Sequence, residues 1–459
     1  MKTSSFSSPF AIANIRCFIA FRLFFNARFY YPVFTILFLD YGLTIEQFAL
    51  LNSVWAATIV LAEVPSGALA DLIGRKTLLL TTSLLMVGEM LLLSFVPLHN
   101  ITLVFWAFLL NRILSGLAEA MASGADEALA YDSLVEQGDS DDWPVVLSVM
   151  MRIKSLGSII TMSLGALAYD PAMVNKVIHF FGSSTALSQQ TTMRFPIYLT
   201  LILGILSCIT AARMEETEQA KNTGEPARGH LQNAVHALKL TWSAGIWIVR
   251  TPFALVVILF GMGFDHVLRL LITMTSQYFR LIELPEAIFG IIGGSMAIVG
   301  LFVPKVAEKM VQRYSPLQNM LWLSAISLAA LVGIAAYIPY WGILPVLLVS
   351  SGLMLTAFFT SHYLNRIAES HQRATILSFK GLAFNLAYGF IGVAFAGLMN
   401  TIRVHNQALA PELSEKAIEN ISFQSATSWL SPYTLIAIIV TILLARYLLR
   451  HTTVHRHRG

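Results

Sequence analysis

Twelve long apolar stretches dominate the chain, at about 15–40, 46–68, 77–98, 101–123, 144–169 and 194–212, then at about 252–280, 285–304, 317–338, 342–365, 376–399 and 429–449. Each is long enough to cross the ~30 Å hydrocarbon core of a bilayer as a helix of about 20 residues. The succession predicts an all-α integral membrane protein with twelve transmembrane helices. Composition agrees: of 459 residues, 56% are hydrophobic and 12% charged, about half the charged share of a soluble domain. The net charge of +4 then follows from membrane topology, and nucleic acid is not an expected partner. Cys17 and Cys208 both fall in apolar stretches, so no disulfide framework, metal site or cofactor is implied. Met1 to Asn14 lack the short apolar core and cleavage site of a signal peptide and read as a retained tail.

Lys and Arg set the orientation. An even number of crossings puts both termini on one side, whose tails and loops carry seventeen Lys and Arg against Lys176, Arg403 and Lys416 opposite. The positive-inside rule makes the termini cytoplasmic. Residues 124–143, with seven acids and no base, are an exception, but acids weigh little in that rule. The longest cytoplasmic stretch, 213–251, separates 1–212 from 252–459, six crossings each. Its first part, Met214-Glu-Glu-Thr-Glu218 through Gly224-Glu-Pro226, reads as a flexible linker. Leu231, Val235, Leu238 and Trp242 then recur at helical spacing, as on an amphipathic helix at the membrane surface. Long loops at about 170–193 and 400–428 occupy the same place in each half, which points to an internal repeat.

Between the second and third stretches lies Gly67-Ala-Leu-Ala-Asp71-Leu-Ile-Gly74-Arg75-Lys76. Its glycines permit close helix approach and a sharp reversal, and its charges can dock the turn on neighbouring helices. This pattern resembles the loop 2–3 motif of the major facilitator superfamily of secondary transporters. A degenerate copy, Glu308…Arg313, sits between the eighth and ninth stretches. The resemblance implies two pseudo-symmetric six-helix bundles that rock about a midplane site, in a bacterial inner membrane, as a monomer, carrying a small-molecule substrate. It also implies that spans one, four, seven and ten line the cavity. In the family the motif is a gate. Here that role maps onto Gly67, Asp71, Gly74, Arg75 and Lys76, with Asp71 capping a helix near Thr375-Ile376 and Arg75 pairing with Asp126 or Glu127. Such contacts are each worth about 1 kcal/mol, a suitable size for a latch.

Ionisable groups inside spans are costly in lipid and usually face a partner or an aqueous cavity. In span one, Arg22, Asn26 and Tyr30 are spaced to share a helix face. Two readings stand for its arginines: snorkelling to the headgroups, or bidentate reception of a substrate anion. Arg16 fits the first, Arg22 either, and Arg28, near mid-span, the second. In span four, Arg112…Gly116 resembles the family's span-four motif, whose arginine is associated with proton coupling. Glu119 follows seven residues on, on nearly the same face. It is either a proton-binding switch or half of a static ion pair. In span seven, Asp265 and Arg269 are i, i+4 neighbours that either neutralise each other or serve as coupling acid and substrate cation, and the adjacent His266 is titratable. Glu63 is a further coupling candidate. Thr356, Thr360, His362, Tyr363, Asn385 and Tyr388 can shape the cavity.

Arg22, Arg28, Arg112 and Arg269 outnumber Glu63, Glu119 and Asp265 in the spans, which favours an anionic or zwitterionic solute and proton coupling. Export of amphipathic or drug-like compounds is the alternative. A lipid-modifying membrane enzyme would need a clustered catalytic constellation, and His179, His362, His371 and His405 are scattered.

Overall fold

A computed structural model describes residues 8–217, 239, 242–368 and 373–455. Gly67, Asp71 and Thr375 fall within helices, but their side-chain surroundings, and with them the predicted Asp71 cap, lie outside the described residues, as do Leu231, Val235 and Leu238. The first half consists of α1 (Ala13–Asn26), α2 (Phe34–Asp40), α3 (Ile45–Ile73), α4 (Arg75–Phe95), α5 (Ile101–Ala122), α6 (Ala125–Gln137), α7 (Trp143–Tyr169), α8 (Pro171–Phe180) and α9 (Phe195–Arg213). The second consists of α10 (Pro252–Thr273), α11 (Thr275–Leu281), α12 (Phe289–Arg313), α13 (Pro316–Ala335), α14 (Ile343–Ile367), α15 (Arg373–Leu409), α16 (Glu415–Ser428) and α17 (Leu430–His455). Residues 242–250 are also helical.

Helix boundaries follow local chemistry. Thr44 opens α3 with a capping box, accepting from Gln47 N while the Gln47 side chain accepts from Thr44 N, which satisfies two otherwise orphaned donors. Ser315 and Gln318 repeat the device at α13. Gly74, at φ +86°, ends α3 and starts α4, a conformation that costs glycine little.

Eleven helical runs among the described residues are long and apolar enough to cross a membrane. The first predicted crossing is not one of them, because it is broken: α1 stops at Asn26, residues 27–30 are irregular, and a short 3-10 turn at Tyr31–Val33 leads into α2. Pro32 explains the break, since it supplies no N–H and disfavours helix in the residue before it. The seventh crossing is interrupted in the corresponding place, between α10 and α11 at Met274. Irregular backbone at membrane depth is tolerated where protein or a cavity covers it. Two of the backbone groups here find side-chain partners: Phe29 N donates to Thr200 Oγ1 at 3.1 Å, and Thr35 N to Ser276 Oγ at 2.9 Å.

Two predicted loops are largely helical. Asp170 caps α8, with Pro171 in its first turn, and Ser414 caps α16. The predicted flexible linker begins as packed chain: Met214 and Thr217 are buried, and Asn14 bonds both the N–H and C=O of Glu215.

The two halves meet where α3 packs on α15 and α7 on α12. Where α7 meets α12, a Cβ on Gly290 would lie 2.1 Å from the Met162 carbonyl oxygen, so only glycine admits this approach. These contacts belong to the membrane face away from the start of α1, here called the far face. The face from which α1 starts is the near face.

Candidate functional site

Between the halves lies a cavity of about 380 Å³. Its wall is mostly aromatic and apolar: Tyr30, Tyr31, Phe34, Trp55, Met162, Phe279, Phe289, Met296 and Tyr388. Into it project Arg28 from the break in the first span, Arg112 and Glu119 from α5, and Arg269 from α10, with Asn52, Ser115, Thr273, Thr275 and Ser276 as neutral polar groups. The broken spans thus place both their irregular backbone and their side chains on the wall, a recurrent arrangement for solute sites in transporters with interrupted helices.

The three arginines differ in what neutralises them. Arg269 Nη2 pairs with Asp265 Oδ2 at 2.6 Å, its Nη1 donates to Asn385 Oδ1 at 2.8 Å, and its guanidinium lies 5.4 Å from the Tyr388 ring centroid. Arg28 is 4% exposed and faces Glu89 of α4, Nη2 to Oε1, at 3.4 Å. Arg112, also 4% exposed, has no carboxylate within 4.0 Å among the described residues. Its Nε and Nη2 share the amide oxygen of Asn111, at 3.0 and 2.7 Å, and its charge lies over the rings of Phe34 and Phe38. A neutral amide and two ring faces offset part of a buried charge, and an anion in the cavity would offset the remainder. Glu119 is exposed to the cavity and has no ion pair among the described residues.

The remaining candidates sit elsewhere. Arg22 is off the wall: its Nε meets Asp126 Oδ2 at 2.5 Å and its Nη2 meets Glu127 Oε1 at 2.7 Å. The predicted shared face of Arg22, Asn26 and Tyr30 does not form, because α1 ends at Asn26 and only Tyr30 reaches the cavity. The Asn26 amide donates instead to Arg22 O at 2.8 Å. His266 points away from the cavity, bonded to Met262 O and, at 2.9 Å, to the Tyr433 hydroxyl on α17. His362 packs against Phe358 and Tyr363 on α14, a helix that contributes nothing to the wall. Glu63 is half-buried on α3, off the wall.

At the near face, Arg75 pairs with Asp132, since Asp126 and Glu127 are engaged by Arg22. Glu216 accepts from the backbone N–H of Arg75 at 3.1 Å and of Lys76 at 2.9 Å, placing a carboxylate at the positive end of α4. A Cβ on Gly74 would lie 2.7 Å from that carboxylate. At the far face the halves are tied by ions. Asp40 takes two bonds from Arg280, at 3.0 and 2.9 Å, Arg280 also binds Glu286, and Arg403 lies 3.1 Å from Glu46. Among the described residues no ion pair joins the halves at the near face.

A family model described as Major Facilitator Superfamily matches residues 16–393. The chain belongs to the major facilitator superfamily. Solved structures agree in fold. The nucleoside transporter NupG is 11% identical at a TM-score of 0.69, covering 95% of this chain and 99% of its own. A bacterial homologue of the human lysosomal transporter Spinster, inward-facing and unoccupied, is 12% identical at 0.69, covering 97% and 98%. A D-xylose–proton symporter is 13% identical at 0.65, covering 95% and 97%. None of the curated proteins compared matches the sequence.

As a member of this superfamily the chain is a membrane transporter and not an enzyme, built as two pseudo-symmetric six-helix bundles. Its cavity departs from the expected wall of spans one, four, seven and ten: spans two, five, eight and eleven contribute and span ten does not. Glu89, which sequence reasoning passed over, is the acid closest to the cavity arginines of the first half. Its signal was present, as a lone carboxylate within Leu84-Leu-Met-Val-Gly-Glu89-Met-Leu-Leu-Leu.

Proposed function

We propose that this chain is a proton-coupled secondary transporter of a small organic anion or zwitterion, working by alternating access. The observation that carries the reading is the convergence of Arg28, Arg112 and Arg269 on one largely apolar cavity, with Arg112 lacking any acidic partner among the described residues. A carboxylate or phosphate would give Arg112 the bidentate partner that Asn111 supplies only in part. The aromatic wall suits an apolar body on the same solute.

Alternating access needs a latch on each face. The Asp40–Arg280 and Glu46–Arg403 pairs close the far face, and the motif around Arg75 belongs to the near one. With the termini cytoplasmic, as the Lys and Arg bias implies, the arrangement corresponds to a state open to the cytoplasm.

Thermal unfolding of the detergent-purified protein against organic anions, zwitterionic amino acids and hydrophobic cations tests the proposal. A ligand at 100 times its dissociation constant adds about 2.7 kcal/mol, readily seen as a shift. Stabilisation by anions or zwitterions is expected. Stabilisation only by hydrophobic cations would favour the second reading, an exporter of amphipathic cations, for which Glu119, exposed and without an ion pair among the described residues, is the supporting feature.

A further inference from the structure

Glu89 stands midway along α4, 0% exposed; neither carboxylate oxygen has a hydrogen bond of good geometry among the described residues, and Ser115 of α5 is its neutral polar neighbour. Its ion-pair partner is Arg28, and the 3.4 Å separation is long against the 2.7–2.9 Å of a good charge-assisted bond. Arg28 is also incompletely bonded. Its Nη1 is buried without a hydrogen-bond partner, and its side chain lies on the cavity wall. The guanidinium therefore sits between a carboxylate behind it and a cavity in front of it, fully engaged by neither.

The other charged and titratable groups around Glu89 come from the same two walls. They are Tyr30 and Tyr31 in the broken first span, and Arg112 and Glu119 on α5. On the opposite side of α4, α9 makes contact through Ser207 and Gly204. Asp265 also backs a cavity arginine, Arg269, in the other half, but that pair is close, at 2.6 Å, and His266 faces α17.

We propose that Glu89 carries the coupling proton and controls the affinity of Arg28 for the transported anion. This rests on reading the cavity as an anion site. With Glu89 ionised, Arg28 is neutralised from behind and attracts an anion weakly. A proton taken from water onto one Oε of Glu89 removes that countercharge, Arg28 keeps all its own protons, and the incoming anion replaces the charge that Glu89 has given up. The buried cluster holds the same net charge before and after, so proton and anion enter or leave together without an uncompensated charge at membrane depth. Linkage then fixes the sign: lower pH tightens anion binding, and a bound anion tightens proton binding.

Infrared difference spectroscopy on the purified full chain, acid minus alkaline, tests this without any substrate. Subtracting the Glu89→Gln difference spectrum from that of the wild type removes the other carboxyls and should leave a protonated-carboxyl band that shifts in heavy water. In Arg28→Gln, with the Arg28→Gln, Glu89→Gln double variant as its subtrahend, the band should persist to higher pH, because the cation that favours the ionised form is gone. Thermal unfolding of all these variants checks that they are folded. Absence of the band from the subtracted wild-type spectrum, or an unmoved titration in Arg28→Gln, would each overturn the assignment. None of these outcomes depends on which solute the cavity takes, so the anion reading can fail separately, in the ligand screen.

Discussion

Asp40 and Arg280 meet through two hydrogen bonds, at 3.0 and 2.9 Å, and join the far-face end of the first span to that of the seventh. Both residues follow the breaks in their spans, so the pair that ties the halves together is carried by the short segments α2 and α11. Arg280→Gln removes the charge and one half of the fork. For a pair that is about one-fifth exposed on each side the loss is about 1 kcal/mol, or about fivefold in the balance of states. The readout is alkylation by an impermeant maleimide of Gln277→Cys, a position on α11 that is 2% exposed with the far face closed, in a Cys17→Ser, Cys208→Ser background. The rate should rise about fivefold in Arg280→Gln and less in Arg280→Lys, which keeps the charge.

Gly290 makes a similar prediction by packing alone. Adding a methyl group where the Met162 carbonyl oxygen lies 2.1 Å away forces α12 from α7. Gly290→Ala should lower thermal stability by about 1–3 kcal/mol and raise the same alkylation rate, because the far face no longer closes fully.

The near-face motif is held by a residue outside it. Glu216→Ala should cost about 1 kcal/mol through loss of the cap on α4. Gly74→Ala should cost at least as much, since it meets both an unfavourable φ of +86° and the Glu216 carboxylate. The two act on one contact, so the double variant should lose less than the sum in thermal unfolding.

His266→Gln separates a structural from a functional histidine. Its bonds run to Met262 O and Tyr433, away from the cavity. Stability should fall by about 0.5–1.5 kcal/mol, while ligand-induced stabilisation should be unchanged at every pH measured.

Much of this arrangement was legible in the residues. Arg28, Arg112, Arg269 and Glu119 all stand out as charges in apolar runs, and all four reach the cavity. Glu89 stands out equally, but the expectation that spans one, four, seven and ten form the wall drew attention from span three. The error over Arg22 has a different origin. Shared-face reasoning assumes an unbroken helix, and Pro32 ends that assumption a few residues downstream of Arg28. The partner of Arg75 was out of reach for another reason. Asp126, Glu127 and Asp132 all lie on α6, and only the docking of that helix decides that Arg22 takes the first two and leaves the third. Likewise, the spacing that brings Asp265 and Arg269 together was readable, whereas the turning of His266 towards α17 required the neighbouring helix.

The central claim is that Arg112 receives the negative group of the solute. The most direct measurement is the thermal shift given by the best stabilising anion or zwitterion, compared in wild type, Arg112→Lys and Arg112→Gln. The wild type should gain about 2.7 kcal/mol at 100 times the dissociation constant. Arg112→Lys should keep part of the gain, having the charge without the planar fork, and Arg112→Gln should lose most of it. A shift of undiminished size in Arg112→Gln would contradict the account.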